Sequence, residues 1–315
     1  MFSLPQPSST TAASSSPESD EELIEGCPIL CLHDDPNDLA NFLTALYDGP
    51  LFGDNGREDF RVVSGLLRLS TKYIVDSLRQ RALTHLSEAW PSSLNDWDLR
   101  EDYARVYELE TGASRSFRYP SPIAVINLAR EIAAPSLLPA AFYDLSRYSY
   151  SQILEAGDKS PLFHTPVHQP REFISPSDMQ KLALGKESAS QAIPTLIQSI
   201  TSPGHPHPHH PTANTHRRNF SSSGRSRVEI VCTTASACRQ EFLELAQLAT
   251  QHYIFDREKG STDPLYVAEE LGQLKSSETI EGEDCVACAR SLEAWAAKER
   301  QKIWEMIPSW FRLDQ

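Results

Sequence analysis

A pattern of mostly apolar residues at helical spacing crosses the first third of the chain. Steps of three and four residues place side chains on one face of an α-helix, and such a face must be covered by other protein. The pattern therefore predicts one packed helix, which Pro91 would stop. Its members are Val63, Leu66, Leu67, Ser70, Ile74, Leu78, Ala82 and Leu86.

A second helix is predicted immediately before this pattern. Asp35 is a candidate N-cap, Pro36 suits the first helical position, and Asp48-Gly49 would end the element. Ahead of it, the short apolar run at 28–32 predicts a buried strand. The apolar face of the helix comprises Leu39, Phe42, Leu43 and Leu46.

Helical patterns continue further along the chain. Residues 122–145 carry two of them, separated by Pro135. Another helix is predicted from Ser177, its candidate N-cap, to residue 200, and Pro194 should kink or split it. These patterns predict a helical region at 91–200.

Two stretches of the sequence are predicted to lack stable structure. Residues 1–26 are rich in Ser, Pro and acidic side chains, and residues 201–227 hold Pro, Ser, Gly and five of the ten histidines. Segments with so few apolar side chains cannot bury enough surface to offset the entropy of ordering. We therefore predict a flexible acidic and Ser-rich segment first, and a disordered His/Pro/Ser-rich linker second. Beyond the linker, amphipathic patterns at 242–252 and 288–303 predict a C-terminal helical pair within 228–315.

The charge balance restricts the kinds of partner. The chain has 29 basic and 43 acidic residues and a formal net charge of −14, which disfavours contact with phosphate backbones and anionic membranes. No apolar run reaches the roughly 18 residues that a membrane-spanning helix needs. A nucleic-acid partner and a membrane are therefore not expected, and the chain is predicted to be intracellular, in the cytoplasm or the nucleus.

Four segments of the sequence resemble the last strand and the closing helices of a BTB/POZ domain. They are Cys27-Pro-Ile-Leu-Cys-Leu-His-Asp-Asp35, Leu39-Ala-Asn-Phe-Leu-Thr-Ala-Leu-Tyr-Asp-Gly49, Leu66-Leu-Arg-Leu-Ser-Thr-Lys-Tyr73 and Leu78-Arg-Gln-Arg-Ala-Leu83. A wider set is similar to a group of fungal BTB-domain proteins: Trp90-Pro91, Tyr119-Pro-Ser-Pro122, Ala133-Ala-Pro-Ser-Leu-Leu-Pro139, Asp144-Leu-Ser-Arg147 and Trp310-Phe-Arg-Leu313. Met1-Phe2 resembles a Met-Phe pair inside the domain, so the resemblance starts in mid-domain.

The resemblance completes the predicted fold, which is mainly α. It implies a partial BTB/POZ domain at 27–90, an α/β remnant at the start of an otherwise helical chain. The helical region, the disordered linker and the C-terminal helical pair would follow in that order.

The resemblance also implies a non-enzymatic adaptor that acts through protein–protein interaction. The implied modes are self-association and binding to a cullin-type ubiquitin ligase scaffold. Because the chain has no Gly-x-Ser-x-Gly motif, and Gly185-Lys186 precedes Glu rather than the Ser or Thr of a phosphate loop, we expect no enzyme. The residues expected to build the interaction surface are Leu39, Phe42, Leu43, Leu46, Val63, Leu66, Leu67 and Tyr73.

Four cysteines in the last third of the chain are candidate metal ligands. Cys285 and Cys288 have a spacing that lets two thiolates bind one zinc ion from the start of a helix. Cys232 and Cys238 could complete a set of four sulfur ligands. Free thiols, with no cofactor, are the other interpretation. The alternative function is therefore a zinc-binding regulatory or nucleic-acid-binding module, which metal analysis would distinguish from the adaptor.

Overall fold

The computed structural model describes most of the chain as α-helix. The described residues are 23–24, 27–28, 32–154, 162, 173–201, 232, 234–256, 260–274 and 285–314. Within them the prediction of a mainly α fold is confirmed. The flexible segment predicted at 1–26 and the linker predicted at 201–227 lie outside the described residues, apart from residues 23, 24 and 201.

Eleven α-helices occur in the described part of the chain. They are α1 (Pro36–Tyr47), α2 (Arg57–Lys72), α3 (Asp76–Ala89), α4 (Leu94–Thr111), α5 (Pro122–Glu131), α6 (Leu138–Ser146), α7 (Tyr150–Leu154), α8 (Pro176–Ile200), α9 (Ala235–Ala249), α10 (Pro264–Gln273) and α11 (Val286–Trp310). Two 3₁₀ turns, Arg115–Phe117 and Pro135–Leu137, connect neighbouring helices, and a π-helical turn, Thr250–Phe255, extends α9. None of these helices has the length and hydropathy needed to cross a membrane.

The α/β remnant predicted at 27–90 is not supported. Strand structure in the described residues consists of β1 (Leu23–Ile24) and β2 (Cys27–Pro28), two residues each, paired antiparallel. So short a pair offers no sheet face on which helices could pack. Leu32, at the end of the predicted strand, is exposed and outside any strand, and residues 29–31 lie outside the described part.

The predicted α1 helix is confirmed in its position and in its cap. The Asp35 carboxylate accepts hydrogen bonds from the backbone N–H groups of Asn37 and Asp38, at 2.9 and 3.1 Å, and so satisfies two donors of the first turn. The helix packs on α2 and closes a small apolar core. The buried members of this core are Phe42, Ala45, Leu66, Leu69 and Leu78.

The single helix predicted to run up to Pro91 is wrong, because the structure has two helices there, α2 and α3. The chain turns at Ile74, which has a positive φ of 58° and is 79% exposed. The backbone N–H of Val75 donates to the carbonyl of Ser70 at 2.8 Å and closes the end of α2. The spacing explains the break. Each four-residue step advances about 40° around a helix, so the five such steps from Leu66 to Leu86 would turn the apolar face by about 200°, and no single neighbour could cover it.

One apolar core spans both sides of the predicted linker. It contains Trp90, Phe142 and Tyr143 before the linker and Phe242 and Phe311 after it, and all five are fully buried. Helix α8 lies centrally, since it packs on α6, α9, α10 and α11. A Cβ atom on Gly185 would overlap the Phe311 ring, so the close approach of this helix depends on that glycine.

Three details of the predicted helices differ from the structure. The N-cap of α8 is Ser175, whose hydroxyl accepts from the N–H of Asp178 at 3.1 Å, rather than Ser177. Pro194 does not split this helix, which continues to Ile200.

The predicted C-terminal pair is a set of three helices, because α10 lies between α9 and α11 along the chain and packs against α11.

Candidate metal centre

The fold brings the four predicted cysteine ligands together. The sulfur atoms of Cys232, Cys238, Cys285 and Cys288 all lie within 4.8 Å of one another. Cys232, Cys238 and Cys288 are buried, Cys285 is partly buried, and none of the four is in a disulfide. The sequence could suggest the second pair of ligands, but only the fold shows that they meet the first pair.

The spacing of the sulfur atoms fits a tetrahedral zinc site. The Sγ atoms of Cys232 and Cys238 are 3.7 Å apart. In a tetrahedral site with Zn–S distances of about 2.3 Å, neighbouring sulfur atoms are about 3.8 Å apart. Four sulfur ligands with this geometry favour zinc or iron among the metals that proteins bind, and a mostly buried site with no open position is typical of structural zinc.

Two helix starts hold three of the four ligands. Cys285 is the N-cap of α11, and its carbonyl accepts from the N–H groups of Cys288 and Ala289, both at 3.0 Å. Cys238 lies in the first turn or so of α9, where its N–H donates to the carbonyl of Thr234 at 3.0 Å. Cys232 comes just before α9. Because both helices begin at the cluster, the partial positive ends of both point toward the sulfur atoms.

The thiols influence one another's protonation. Burial raises the pKa of Cys285, but hydrogen bonds from the backbone N–H of Cys288 and from the other three thiols outweigh it, so its pKa is lowered. Burial raises the pKa of Cys232, and burial together with the neighbouring thiols raises the pKa of Cys288 well above its usual range. These shifts make Cys285 the most readily deprotonated of the three thiols, and a bound cation would favour the thiolate form of the others as well.

The residues predicted for an interaction surface are split between cores and surface. Phe42 and Leu66 are buried in the small core, Val63 and Leu67 are buried in the main core, and Leu39 is partly buried. The other three are exposed: Leu43 (45%), Leu46 (46%) and Tyr73. Tyr47, the last residue of α1, is more exposed still and lies one turn from Leu43, and we call Leu43, Leu46 and Tyr47 the α1 face.

Sequence reasoning missed a second exposed apolar stripe, on α4. Leu99, Tyr103 and Val106 recur at steps of four and three residues and are all exposed, as is Leu109 in the next turn. The opposite side of α4 is also apolar, with Trp97 and Ala104 buried. Apolar residues on both sides of a helix give no clear amphipathic pattern, so the helix itself was not predicted.

Sequence reasoning also missed a buried ion network, which includes two arginines and three carboxylates. Arg100 donates to Glu101 at 2.7 Å and to Asp144 at 2.9 Å, while Arg147 pairs with both of these acids and with Asp263 at 2.9 Å. The Arg100 guanidinium also lies over three aromatic rings, those of Trp90, Trp97 and Tyr119. The members of the network lie between residues 100 and 263, and Arg147 and Asp263 are 116 positions apart, so no local motif predicts the network.

Comparison with known proteins identifies no relative. No protein-family model matches the chain, and no curated protein or solved structure matches it. The BTB/POZ resemblance therefore stays a prediction from the sequence, while the four-thiol cluster rests on its geometry.

Proposed function

We propose that this chain is a non-enzymatic protein-interaction module in which one structural zinc ion links helices α9 and α11. The observation that carries the proposal is the meeting of four cysteine sulfur atoms within 4.8 Å. Three of the four ligands are buried, and a metal–thiolate centre at this position would link the start of α9 to the start of α11. Such a link stabilises the folded chain because the unfolded chain cannot form the same site.

The metal proposal predicts zinc bound in a ratio of one per chain. Elemental analysis of protein purified under reducing conditions measures this ratio directly. The Cys285→Ser/Cys288→Ser variant should lose the metal and unfold at a temperature lower by about 5 °C or more. The Cys27→Ser/Cys31→Ser variant is the matched control and should retain both the metal and the stability.

Cobalt substitution tests the ligand set independently. Cobalt bound by four thiolates in a tetrahedron gives intense sulfur-to-metal charge-transfer and visible absorption bands. These bands should appear with native chain and disappear with the Cys285→Ser/Cys288→Ser variant. Iron in place of zinc, or a native chain that binds no metal at all, would contradict the proposal of a zinc centre.

The interaction part of the proposal is supported by the α1 face. Large apolar side chains that remain exposed on one region of a surface are typical of protein-binding sites. Leu43 and Leu46 are nearly half exposed, and Tyr47 is 86% exposed. The proposed partners are proteins, through self-association or a cullin-type ubiquitin ligase scaffold as the BTB/POZ resemblance implies.

Substitution of the α1 face separates these partners. Sedimentation of the native chain measures self-association, and binding to a purified cullin-type scaffold measures the other mode. The Leu43→Glu/Leu46→Glu variant should weaken whichever association occurs, whereas Thr44→Glu, on an exposed position of the same helix, should not. Equal effects of the two variants would contradict a role for the α1 face.

A zinc-dependent nucleic-acid-binding module is the second candidate function. The cysteine cluster is common to both candidates, but a net charge of −14 opposes binding to a polyanion. Retention of labelled DNA or RNA by the native chain at physiological salt, and its loss in the Cys285→Ser/Cys288→Ser variant, would favour this second candidate.

A further inference from the structure

A polar cavity lies between α4, the Arg115–Phe117 turn and the end of α6. Its volume is about 400 Å³, which is within the range of small-molecule sites in proteins. The lining carries more cations than carboxylates, since Arg100, Arg115 and Arg147 face it together with Glu101 and Asp144. Asp263 lies outside this lining but pairs with Arg147, so the three arginines are matched by three carboxylates in all.

The ion network fixes two of the three arginines. Arg100 is held by Glu101, by Asp144 and by the carbonyl of Ala89 at 2.7 Å. Arg147 donates to both oxygens of Glu101, at 3.1 and 2.9 Å. These contacts occupy both carboxylates that line the cavity, and the positive charge of Arg115 also acts on Glu101 and contributes to the lowering of its pKa.

Arg115 is the third cation, and its guanidinium has no hydrogen-bond or ion-pair partner among the described residues. The Tyr148 hydroxyl, which also lines the cavity, likewise lacks a partner there. Gln152 has its side-chain oxygen occupied by the backbone N–H of Ser149 at 2.8 Å, which leaves its side-chain nitrogen as a donor. Three donors of different kinds therefore line one cavity, and in the described structure none of them has an acceptor.

We infer that this cavity binds a small organic anion, with Arg115 pairing with its charged group and Tyr148 and Gln152 donating to it. A carboxylate and a phosphate monoester share the required chemistry, because both present acceptor oxygens to a guanidinium fork. The cavity is separate from the four cysteines, so the inference is independent of the zinc proposal.

Titration calorimetry on the full chain tests the inference with inorganic phosphate and benzoate as probes. At least one probe should bind saturably, and Arg115→Gln should weaken its binding about tenfold or more, the loss expected for a charge-assisted pair. Arg105→Gln is the matched control, because it removes the same charge from an exposed arginine that does not line the cavity. Binding of phosphate alone would identify a phosphate ester as the ligand class, and binding of benzoate alone a carboxylate.

Tyr148→Phe gives a second test that removes one hydroxyl and keeps the charge. It should weaken binding of the same probe several-fold and serves in place of Arg115→Gln if that variant does not fold by circular dichroism. The inference is overturned if neither probe binds the native chain at concentrations up to about 10 mM, a weak affinity even for fragments of this size. Equal weakening by Arg115→Gln and Arg105→Gln, or no weakening by Tyr148→Phe, would also overturn it.

Discussion

Three helices of this protein end on residues that are not glycine although the backbone enters the left-handed region. Ile74 follows α2, Ala133 follows α5 and Arg312 follows α11, each directly after the C-cap, with φ values of 58°, 52° and 53°. In each case the N–H of the next residue donates to a carbonyl five positions before it, as in a Schellman motif. Ile74 is the most unfavourable of the three, because a β-branched side chain crowds this conformation.

Replacement of Ile74 by glycine should therefore stabilise the protein. Relief of the left-handed conformation is worth about 1–2 kcal/mol, and the exposed side chain contributes little burial, so a net gain of about 1 kcal/mol in the free energy of unfolding is expected. Denaturation by urea measures it. Ile74→Ala removes the same side chain but keeps a Cβ, and it should give a smaller gain. An unchanged midpoint for Ile74→Gly would contradict the argument.

The turn at Ile74 is a helix end that the pattern of apolar residues does not predict. The residue at position 74 is isoleucine rather than glycine, proline or asparagine. The sequence therefore carries none of the usual signals of a helix end at this position and predicts one continuous helix. Asp35 and Pro36, by contrast, are chemically specific marks, and the helix begins where they place it. Gly185 was considered only as part of a phosphate loop, whereas its structural role depends on Phe311, far away in the sequence.

At the scale of the element, the start of α8 depends on Ser175. Its hydroxyl accepts from the N–H of Asp178 and donates to the Asp178 carboxylate at 2.9 Å, while Arg130 pairs with the same carboxylate at 2.7 Å. The cap is thus joined to α5 through a buried acid. Ser177 is exposed and caps no helix in the structure.

Alanine substitution distinguishes the two serines. Ser175→Ala should lower the free energy of unfolding by about 1 kcal/mol, because two hydrogen bonds at the helix start are lost. Ser177→Ala is the matched control and should have almost no effect. Thermal or urea denaturation of both variants checks this, and a larger effect at Ser177 would mean that the cap is assigned to the wrong residue.

The other helices differ in how clearly the local sequence predicts them. Helices α5, α9 and α11 were predicted because their buried residues lie on one face at regular spacing. Helix α10 had a usable signal that was overlooked, since Asp263 caps it, accepting from the N–H of Tyr266 at 3.0 Å, and Pro264 is its first residue. The sequence signal for helix α4 is weak, because its apolar residues lie on opposite sides of the helix.

At the scale of the whole molecule, the ion network connects distant parts of the chain. Burial raises the pKa of Glu101, but the positive charges of Arg147 and Arg100 outweigh it and lower that pKa to about 2. A carboxylate whose pKa is lower in the folded than in the unfolded chain stabilises the fold above its unfolded pKa. That stability is lost as the pH falls from about 4.5 toward 2.

The stability difference between native chain and Glu101→Gln should therefore depend on pH. It should be on the order of 3 kcal/mol near neutral pH and should shrink as the pH is lowered through this window. Urea denaturation of both proteins at a series of pH values measures it. Glu110→Gln, an exposed substitution on the same helix, provides the control. A difference that stays constant below pH 4.5 would contradict the assignment.

The paired helix starts at the cysteine cluster have an electrostatic consequence. Four thiolates around a divalent ion leave two negative charges inside a chain that is already strongly acidic. The peptide dipoles at the beginnings of α9 and α11 compensate part of this excess with groups that are fixed in the backbone. Since mobile ions hardly screen buried charges, sodium chloride should change the affinity of the chain for zinc very little.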